Sequence, residues 1–240
     1  MKKIIAEGGH VFKDQTGAEL TQRINRADVE PTVKWLEQLT GLSLLDNMLG
    51  TTGRKETSGD LDLAVDASKI EKDTLVQVLL KKGVAKTDIR KSGDNVHYKA
   101  PIAGNPQNGF VQTDFMFGEP SWQHFSMQGG NEGSDYKGVH RHLLLASIAK
   151  ALGYKWSYKN GLVNRDDNTP LEGGKTPAGV SKILGIPANK LNNVEDIIDS
   201  IKGRADYQQL VADAREGFAR DNLKLPESAG DHAPIGTAAW

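Results

Sequence analysis

The segment at residues 49–66, LGTTGRKETSGDLDLAVD, constrains the fold of this chain more than any other part of the sequence. Its second half has the period-two alternation of a β-strand, in which successive side chains project to opposite faces. Asp60 and Asp62 therefore share one face of the predicted strand, and the leucines and valine that alternate with them share the other. Such a strand needs a hydrophobic core on one side and presents two carboxylates on the other.

Two carboxylates this close repel each other unless a cation lies between them. Oxygen ligands of this kind suit Mg²⁺, which keeps several waters and takes further ligands from substrate phosphates. The turn Gly50-Thr51-Thr52-Gly53 lies just upstream, where its backbone N–H groups and hydroxyls, together with Arg54 or Lys55, predict a phosphate-binding loop. Either pattern alone is typical of a surface loop. Together, in this order, they favour a site for a metal–nucleotide complex.

The composition is that of an ordinary globular chain and excludes several classes of protein. With 38% hydrophobic and 25% charged residues over 240 positions, the chain is long enough for one large or two small domains. Because it has no cysteine, disulfides, thiolate metal sites and cysteine nucleophiles are excluded. No window reaches the roughly 18 apolar residues of a membrane helix, and the first residues do not form a signal peptide. We expect no membrane association and a cytoplasmic location, in a bacterium or as a viral protein in its host.

The net charge of −1 is unevenly distributed along the chain. Residues 136–190 carry nine lysines and arginines against three acidic residues, whereas the segments on both sides of them are acidic. This basic segment is either a phosphate-binding face or a chance cluster on a solvated surface. Charge alone favours the solvated surface, because autonomous nucleic-acid-binding proteins are usually more basic overall.

Hydrophobic periodicity predicts a mixed chain of helices and strands. Helical patterns recur in six segments: 28–49 (with Gly41 as an interruption), 68–82, 139–153, 176–186, 194–201 and 205–222. Strand patterns are found at the start of the chain and at 61–65, 95–102, 109–117 and the two arms of a hairpin within 154–164. The glycine-rich polar segment 118–138 predicts a domain boundary, and residues 226–240 predict a mobile tail.

The run Glu56-Thr57-Ser58-Gly59-Asp60-Leu61-Asp62 resembles a family signature. In the DNA polymerase beta-like nucleotidyltransferase superfamily, a Gly-Ser pair precedes an Asp-x-Asp strand by about ten residues. The segment is most similar to the version in family X DNA polymerases, where Glu-Ser-Ser-Gly-Asp-x-Asp is typical. Thr51 stands in place of the usual serine and keeps its hydroxyl. The loop is one residue shorter, so Arg54 is shifted relative to the family's phosphate-contacting arginine.

Three later segments resemble further parts of family X polymerases in the same order, so that the likeness extends over residues 30–190. Residues 122–130 are similar to the segment that lines the sugar pocket, and residues 150–164 to the thumb helix and its hairpin. Residues 176–187 are similar to the closing element that ends in Leu-Gly-Leu-Pro. The last 50 residues match no pattern.

The resemblance implies an α+β fold in three parts. A nucleotidyltransferase palm, a mixed sheet flanked by helices, is expected at residues 1–120. A small thumb-like α/β domain is expected at residues 121–190. A helical extension with a mobile tail is expected at residues 191–240.

The resemblance also implies three catalytic carboxylates. Asp60 and Asp62 hold two Mg²⁺ ions, for which Mn²⁺ is an alternative, and a third carboxylate on a neighbouring strand adds a metal ligand and activates the attacking 3′-hydroxyl. Strand 109–117 supplies Asp114 for this role, with a strand-edge acid or a cap as the alternative. A carboxylate among so many apolar neighbours costs roughly several kcal/mol if it is buried without partners, which favours a metal or hydrogen-bonding role.

Other site residues follow from the same likeness. Nucleotide-binding residues are expected in the glycine turn, at the strand entrance and in the sugar pocket: Gly50, Thr51, Thr52, Arg54, Ser58, Gly59 and Phe125. His140, Arg141 and His142 open the thumb-like helix and are candidates for nucleic-acid binding, with a solvated helix turn as the alternative. Arg23 and Arg26 are either triphosphate contacts or a surface pair.

The predicted activity is the transfer of a nucleoside monophosphate from an NTP or dNTP to an acceptor hydroxyl, with release of pyrophosphate. The thumb-like segments favour a DNA 3′ end, and hence a minimal family X-like polymerase with a role in DNA repair. The near-neutral charge and the lack of a helix-hairpin-helix region before the palm keep RNA, a protein or a small molecule open as acceptors. The alternative class is a nucleotidyltransferase-like fold that serves as a non-catalytic binding or structural module.

Overall fold

The computed structural model describes residues 10–128 and 134–226 of the chain. The chain divides into two compact units, residues 1–124 (unit 1) and residues 125–240 (unit 2). Residues 1–9, 129–133 and 227–240 lie outside the described residues, and with them most of the strand predicted at the start and nearly all of the predicted tail. The functional division at residues 120 and 190 stays a prediction.

Unit 1 is an α+β unit built around a mixed sheet. Its described elements are β1 (Ile24–Asn25), α1 (Arg26–Thr40), β2 (Thr57–Ser58), β3 (Asp60–Asp66), α2 (Lys72–Lys81), β4 (Ile89–Ser92), β5 (Asn95–Pro101), β6 (Phe110–Gly118) and α3 (Pro120–Ser126), which reaches into unit 2. The four-stranded sheet has the order β3-β6-β5-β4. β3 and β6 are parallel, and the other two pairs are antiparallel. A mixed sheet flanked by helices is therefore confirmed.

The core of unit 1 lies on the apolar face of this sheet. Leu61 and Leu63 are completely buried, whereas the aspartates that alternate with them are partly exposed. Helices and neighbouring strands contribute further members of the same core: Val29, Val33, Leu36, Leu75, Leu79, Val96, Val111 and Phe115. Because each buried leucine contributes about 1.5–3 kcal/mol to folding, the alternation predicted for β3 fixes which face carries the carboxylates.

The structure changes the bounds of the first two predicted helices and adds a helix in the segment 118–138. The helix predicted for 28–49 ends at Thr40, since Gly41 adopts the left-handed conformation (φ 74°) and its N–H donates to Glu37 O at 2.8 Å. The second helix begins at Lys72 rather than at residue 68. The segment 118–138, predicted as a domain boundary, includes the division between the two units. It also contains α3, which begins at Pro120, a favourable residue for a helix start, and whose Gln123 donates from Nε2 to Met116 O at 2.9 Å.

Unit 2 combines a hairpin with helices, as the sequence predicts. Its described elements are α4 (Gly138–Ala151), β7 (Tyr154–Ser157), β8 (Gly161–Asn164), α5 (Pro177–Leu184), α6 (Val194–Ile201) and α7 (Tyr207–Arg220). α6 buries its apolar side chains at the i, i+3, i+4, i+7 spacing: Val194, Ile197, Ile198 and Ile201. α4 packs against α6, α7 and β7. No helix in the described part of the chain is long and apolar enough to cross a membrane.

Substitution of Gly104 tests how tightly the core of unit 1 is packed. A Cβ at this position would lie 2.5 Å from Trp35 Cδ1, and φ is +73°. We expect Gly104→Ala to lower the free energy of unfolding by about 2–4 kcal/mol, through backbone strain and displacement of the indole. Gly41→Ala is the matched control, because φ is +74° there and no atom lies within 4 Å of the added Cβ. Its expected loss is about 1–2 kcal/mol, and equal losses in denaturant titrations would contradict the steric account.

Candidate active site

Three aspartates meet on the face of the sheet opposite the core. β3 and β6 are parallel neighbours whose register pairs Asp62 with Asp114 and Asp60 with Gln112. Since residues paired across neighbouring strands project to the same face, all three carboxylates point the same way. One oxygen from each lies within 4.8 Å of the others. Asp60 and Asp62 are partly exposed, and Asp114 is buried at 6% exposure. The sequence-predicted triad is thus brought together.

The chemistry of this donor set fits a hard divalent cation. Three carboxylates so close together repel one another, and a bound cation offsets that repulsion. Oxygen ligands at about 2.0–2.1 Å from Mg²⁺ are separated by at most about 4.2 Å across one ion, a spacing close to that of the three oxygens here. Among the described residues, the acidic, histidine or cysteine side chains that lie close enough together to hold one metal ion are Asp60, Asp62 and Asp114.

The glycine turn is fixed directly against β3. Leu49 N donates to Asp62 O at 2.8 Å, and Asp62 N donates to Thr52 Oγ1 at 3.0 Å. Gly50 adopts the left-handed conformation (φ 59°), and a Cβ there would lie 3.4 Å from Asp62 Oδ2. The left-handed conformation favours glycine here, since a Cβ at 3.4 Å would make only ordinary van der Waals contact with the carboxylate. The predicted phosphate loop and the predicted metal ligands lie side by side.

The predicted nucleotide-binding residues of the turn fall into two groups. Thr52 and Ser58 are buried, and their hydroxyls bond to the protein backbone, Ser58 Oγ donating to Thr51 O at 3.3 Å. Both side chains thus stabilise the turn. Thr51 and Gly59 are partly exposed, and Arg54 is exposed. Nucleotide contacts by these residues stay a prediction.

Arg23 lies beside the entrance of β3. Its Nε and Nη2 donate to Thr57 Oγ1 at 3.2 and 3.1 Å, and its Nη1 lies 3.2 Å from the position that a Cβ on Gly59 would take. Arg26 is tied to the turn through a 3.4 Å bond from Nη1 to Arg54 O. Of the two arginines that the sequence singles out, Arg23 brings its positive charge next to the Gly59–Asp60 step.

Asp114 is held by two side chains that lie outside the Asp-x-Asp motif. His97, on β5, is paired directly with Asp114, and its Nδ1 lies 2.6 Å from Asp114 Oδ1. Gln112 Nε2 donates to the same carboxylate at 3.1 and 3.3 Å. Gln112 was detectable from sequence, because a residue two positions before Asp114 shares its face. His97 was not, since strand pairing is a long-range property.

The first two of the three residues predicted to bind nucleic acid are buried in unit 2. His140 lies edge-on to the rings of Tyr136 and Phe218, with centroids 5.5 and 5.0 Å away. Arg141 Nε donates to Leu191 O at 2.7 Å and its Nη1 donates to the carbonyl of Phe125 at 3.0 Å. Burial lowers the pKa of Arg141 to about 10. These contacts favour a structural role over nucleic-acid binding, which stays a prediction.

His142 and Phe125 also have partners within unit 2. Trp156 Nε1 donates to His142 Nδ1 at 2.9 Å, and the ring of Tyr158 stacks on His142 at 3.8 Å. The guanidinium of Arg141 lies over the Phe125 ring, 4.9 Å from its centroid. That Phe125 lines a sugar pocket stays a prediction.

Comparisons with known proteins find matches among solved structures. Neither a protein-family model nor a curated protein sequence matches this chain. Among the solved structures that match is a ternary P/T complex of Leishmania infantum polymerase beta, with 14% identity, a TM-score of 0.47 and coverage of 70% of this chain and 75% of that one. A ternary gap complex of the same protein has 14% identity, a TM-score of 0.45 and coverage of 70% and 69%.

Substitution of Thr52 tests the hydrogen bond that fixes the glycine turn to β3. Thr52→Val keeps the shape of the side chain and removes the oxygen that accepts from Asp62 N. We expect a loss of about 1–3 kcal/mol in the free energy of unfolding, because a partly buried N–H loses its partner. Thr51→Val is the control, as the structure gives the Thr51 side chain no hydrogen bond within the described residues. A Thr52→Val variant as stable as the control in denaturant titrations would refute this role.

His142 provides a pH test of unit 2. Burial, with a smaller effect from the neighbouring Arg141, lowers the pKa of His142 from 6.5 to about 4. Between these values the unfolded chain binds a proton that the folded chain does not, so stability falls as the pH drops from about 6.5 towards 4. We expect His142→Asn to lose less stability than the unmutated protein between pH 7 and pH 5 in denaturant titrations. His10→Asn, in unit 1, is the control, and an unchanged pH dependence in His142→Asn would contradict the prediction.

Proposed function

We propose that this chain is a metal-dependent nucleotidyltransferase, which transfers a nucleoside monophosphate from an NTP or dNTP to an acceptor hydroxyl and releases pyrophosphate. The observation that carries the proposal is the meeting of Asp60, Asp62 and Asp114 beside the glycine turn. Carboxylates for a cation and a backbone turn for phosphates are the two parts that a metal–nucleotide site requires.

In this proposal Asp60, Asp62 and Asp114 hold two Mg²⁺ ions, for which Mn²⁺ is an alternative. When bound, the ions neutralise triphosphate charge and stabilise the attacking and leaving oxygens of an in-line displacement. The N–H groups of the glycine turn bind phosphate oxygens, and Arg23 and Arg54 add positive charge. Asp114, buried beside its partners, accepts the proton of the attacking hydroxyl.

For the acceptor we propose a DNA 3′ end, as in a minimal family X-like polymerase. The order of the thumb-like segments in the sequence supports this choice. Because His140 and Arg141 are buried, we assign contacts with a nucleic-acid backbone to other residues of the basic segment 136–190. RNA, protein and small-molecule hydroxyls are the competing acceptors.

The test is an incorporation assay with labelled nucleotides and Mg²⁺ or Mn²⁺. Primer–template DNA, single-stranded DNA, RNA and a protein serve as acceptors, and we expect the first to be extended. Asp60→Asn and Asp62→Asn are each expected to lower the rate at least about 100-fold, because the ligands of the ions are lost.

Asp66→Asn is the matched control, since Asp66 lies at the other end of β3 and its Oδ1 accepts from Ser68 N at 3.0 Å. It is expected to retain the rate of the unmutated protein. Equal incorporation by the unmutated protein and by the Asp60→Asn/Asp62→Asn double variant would refute the enzyme and favour a non-catalytic module. If another acceptor is extended instead, that acceptor replaces DNA in the proposal, and the proposed nucleotidyl transfer stands.

A further inference from the structure

A chain of hydrogen bonds runs from the end of β4, across β5, to the carboxylate cluster on β6. Ser92 Oγ lies 2.6 Å from His97 Nε2, and His97 Nδ1 lies 2.6 Å from Asp114 Oδ1. His97 is 6% exposed and Asp114 equally so, whereas Ser92 is exposed at the rim. The chain therefore connects solvent to the most deeply buried of the three carboxylates.

The partners of the His97 ring determine which nitrogen donates. A carboxylate accepts hydrogen bonds, so His97 Nδ1 must carry a proton to bond with Asp114. In a neutral ring the other nitrogen then accepts, and the hydroxyl of Ser92 is the donor that satisfies it. Ser92 thus favours the ring form in which His97 donates towards the carboxylate.

This donation leaves the two oxygens of Asp114 in different environments. Oδ1 accepts a 2.6 Å bond from His97 and a 3.1 Å bond from Gln112. Oδ2 accepts a 3.3 Å bond from Gln112 and no other hydrogen bond from the described residues. Oδ1 is therefore occupied by protein donors, and Oδ2 retains capacity for a cation or a proton.

We propose that His97 is a positioning residue of the carboxylate site, which acts through Asp114 and never touches the substrate. It holds Oδ1, and so orients the carboxylate with Oδ2 towards the side of Asp60 and Asp62. An orienting hydrogen bond of this kind typically changes metal affinity by 10- to 100-fold when it is removed. The inference rests on the proposed metal-dependent function and adds to it a histidine that the Asp-x-Asp motif does not include.

The experiment measures Mn²⁺ binding, by the loss of the electron paramagnetic resonance signal of free Mn²⁺, without substrate. His97→Asn and His97→Leu are the matched pair, because the two side chains have similar shape but only asparagine has an N–H donor. We expect His97→Leu to weaken Mn²⁺ binding by about 10- to 100-fold and His97→Asn to restore most of it. Circular dichroism confirms folding, and if His97→Leu does not fold, His97→Ala replaces it in the comparison.

Three outcomes overturn the inference in distinguishable ways. If the unmutated protein binds Mn²⁺ with a dependence on Asp60 and Asp62, but the donor-less variant binds it equally well, His97 has no positioning role and the proposed function stands. If His97→Leu and His97→Asn weaken Mn²⁺ binding equally, His97 has a role in packing alone, which also refutes the inference. If the unmutated protein shows no binding that depends on these aspartates, the metal site and the positioning role fail together.

Discussion

The in-register parallel pairing of β3 and β6 is the constraint on which the rest of the site depends. It makes Asp62 and Asp114 direct neighbours while the residues that alternate with Asp62 remain in the core. A slip of one residue would turn Thr113 towards the carboxylates and bury Asp114 among apolar side chains. The energy of the hydrophobic core therefore holds together charges that would otherwise repel one another.

The glycine turn belongs to the same rigid unit as β3. Met48 pairs with Leu63 in an isolated antiparallel bridge, and Leu49 and Thr52 both bond to the backbone of Asp62. Residues 50–59 thus form a loop whose two ends are fixed side by side. This closure gives a physical reason why a Gly-Thr turn precedes the Asp-x-Asp strand by a set number of residues, since the loop must leave the strand and return to it.

The sequence predicts well what depends on neighbours along the chain. Alternation in β3 identifies the two faces of that strand, and Gly41 and Gly50 mark the places where the backbone turns. What it does not reveal depends on pairing between distant segments, as with His97 opposite Asp114. The burial of His140 and Arg141 has the same cause, although the run Leu143–Ala149 shows that α4 is apolar on more than one side and must be covered all round.

The packing of α7 on α4 has a consequence for the order in which the chain folds during synthesis. The described elements that form the sheet of unit 1 are all present once Gly118 has left the ribosome, so the carboxylates can assemble early. Unit 2 must wait much longer, because Ser147 on α4 bonds to Leu210 O on α7 and Phe218 packs against His140. During this interval the apolar surface of α4 that α7 later covers is exposed, and surface of this kind favours aggregation and binding by chaperones.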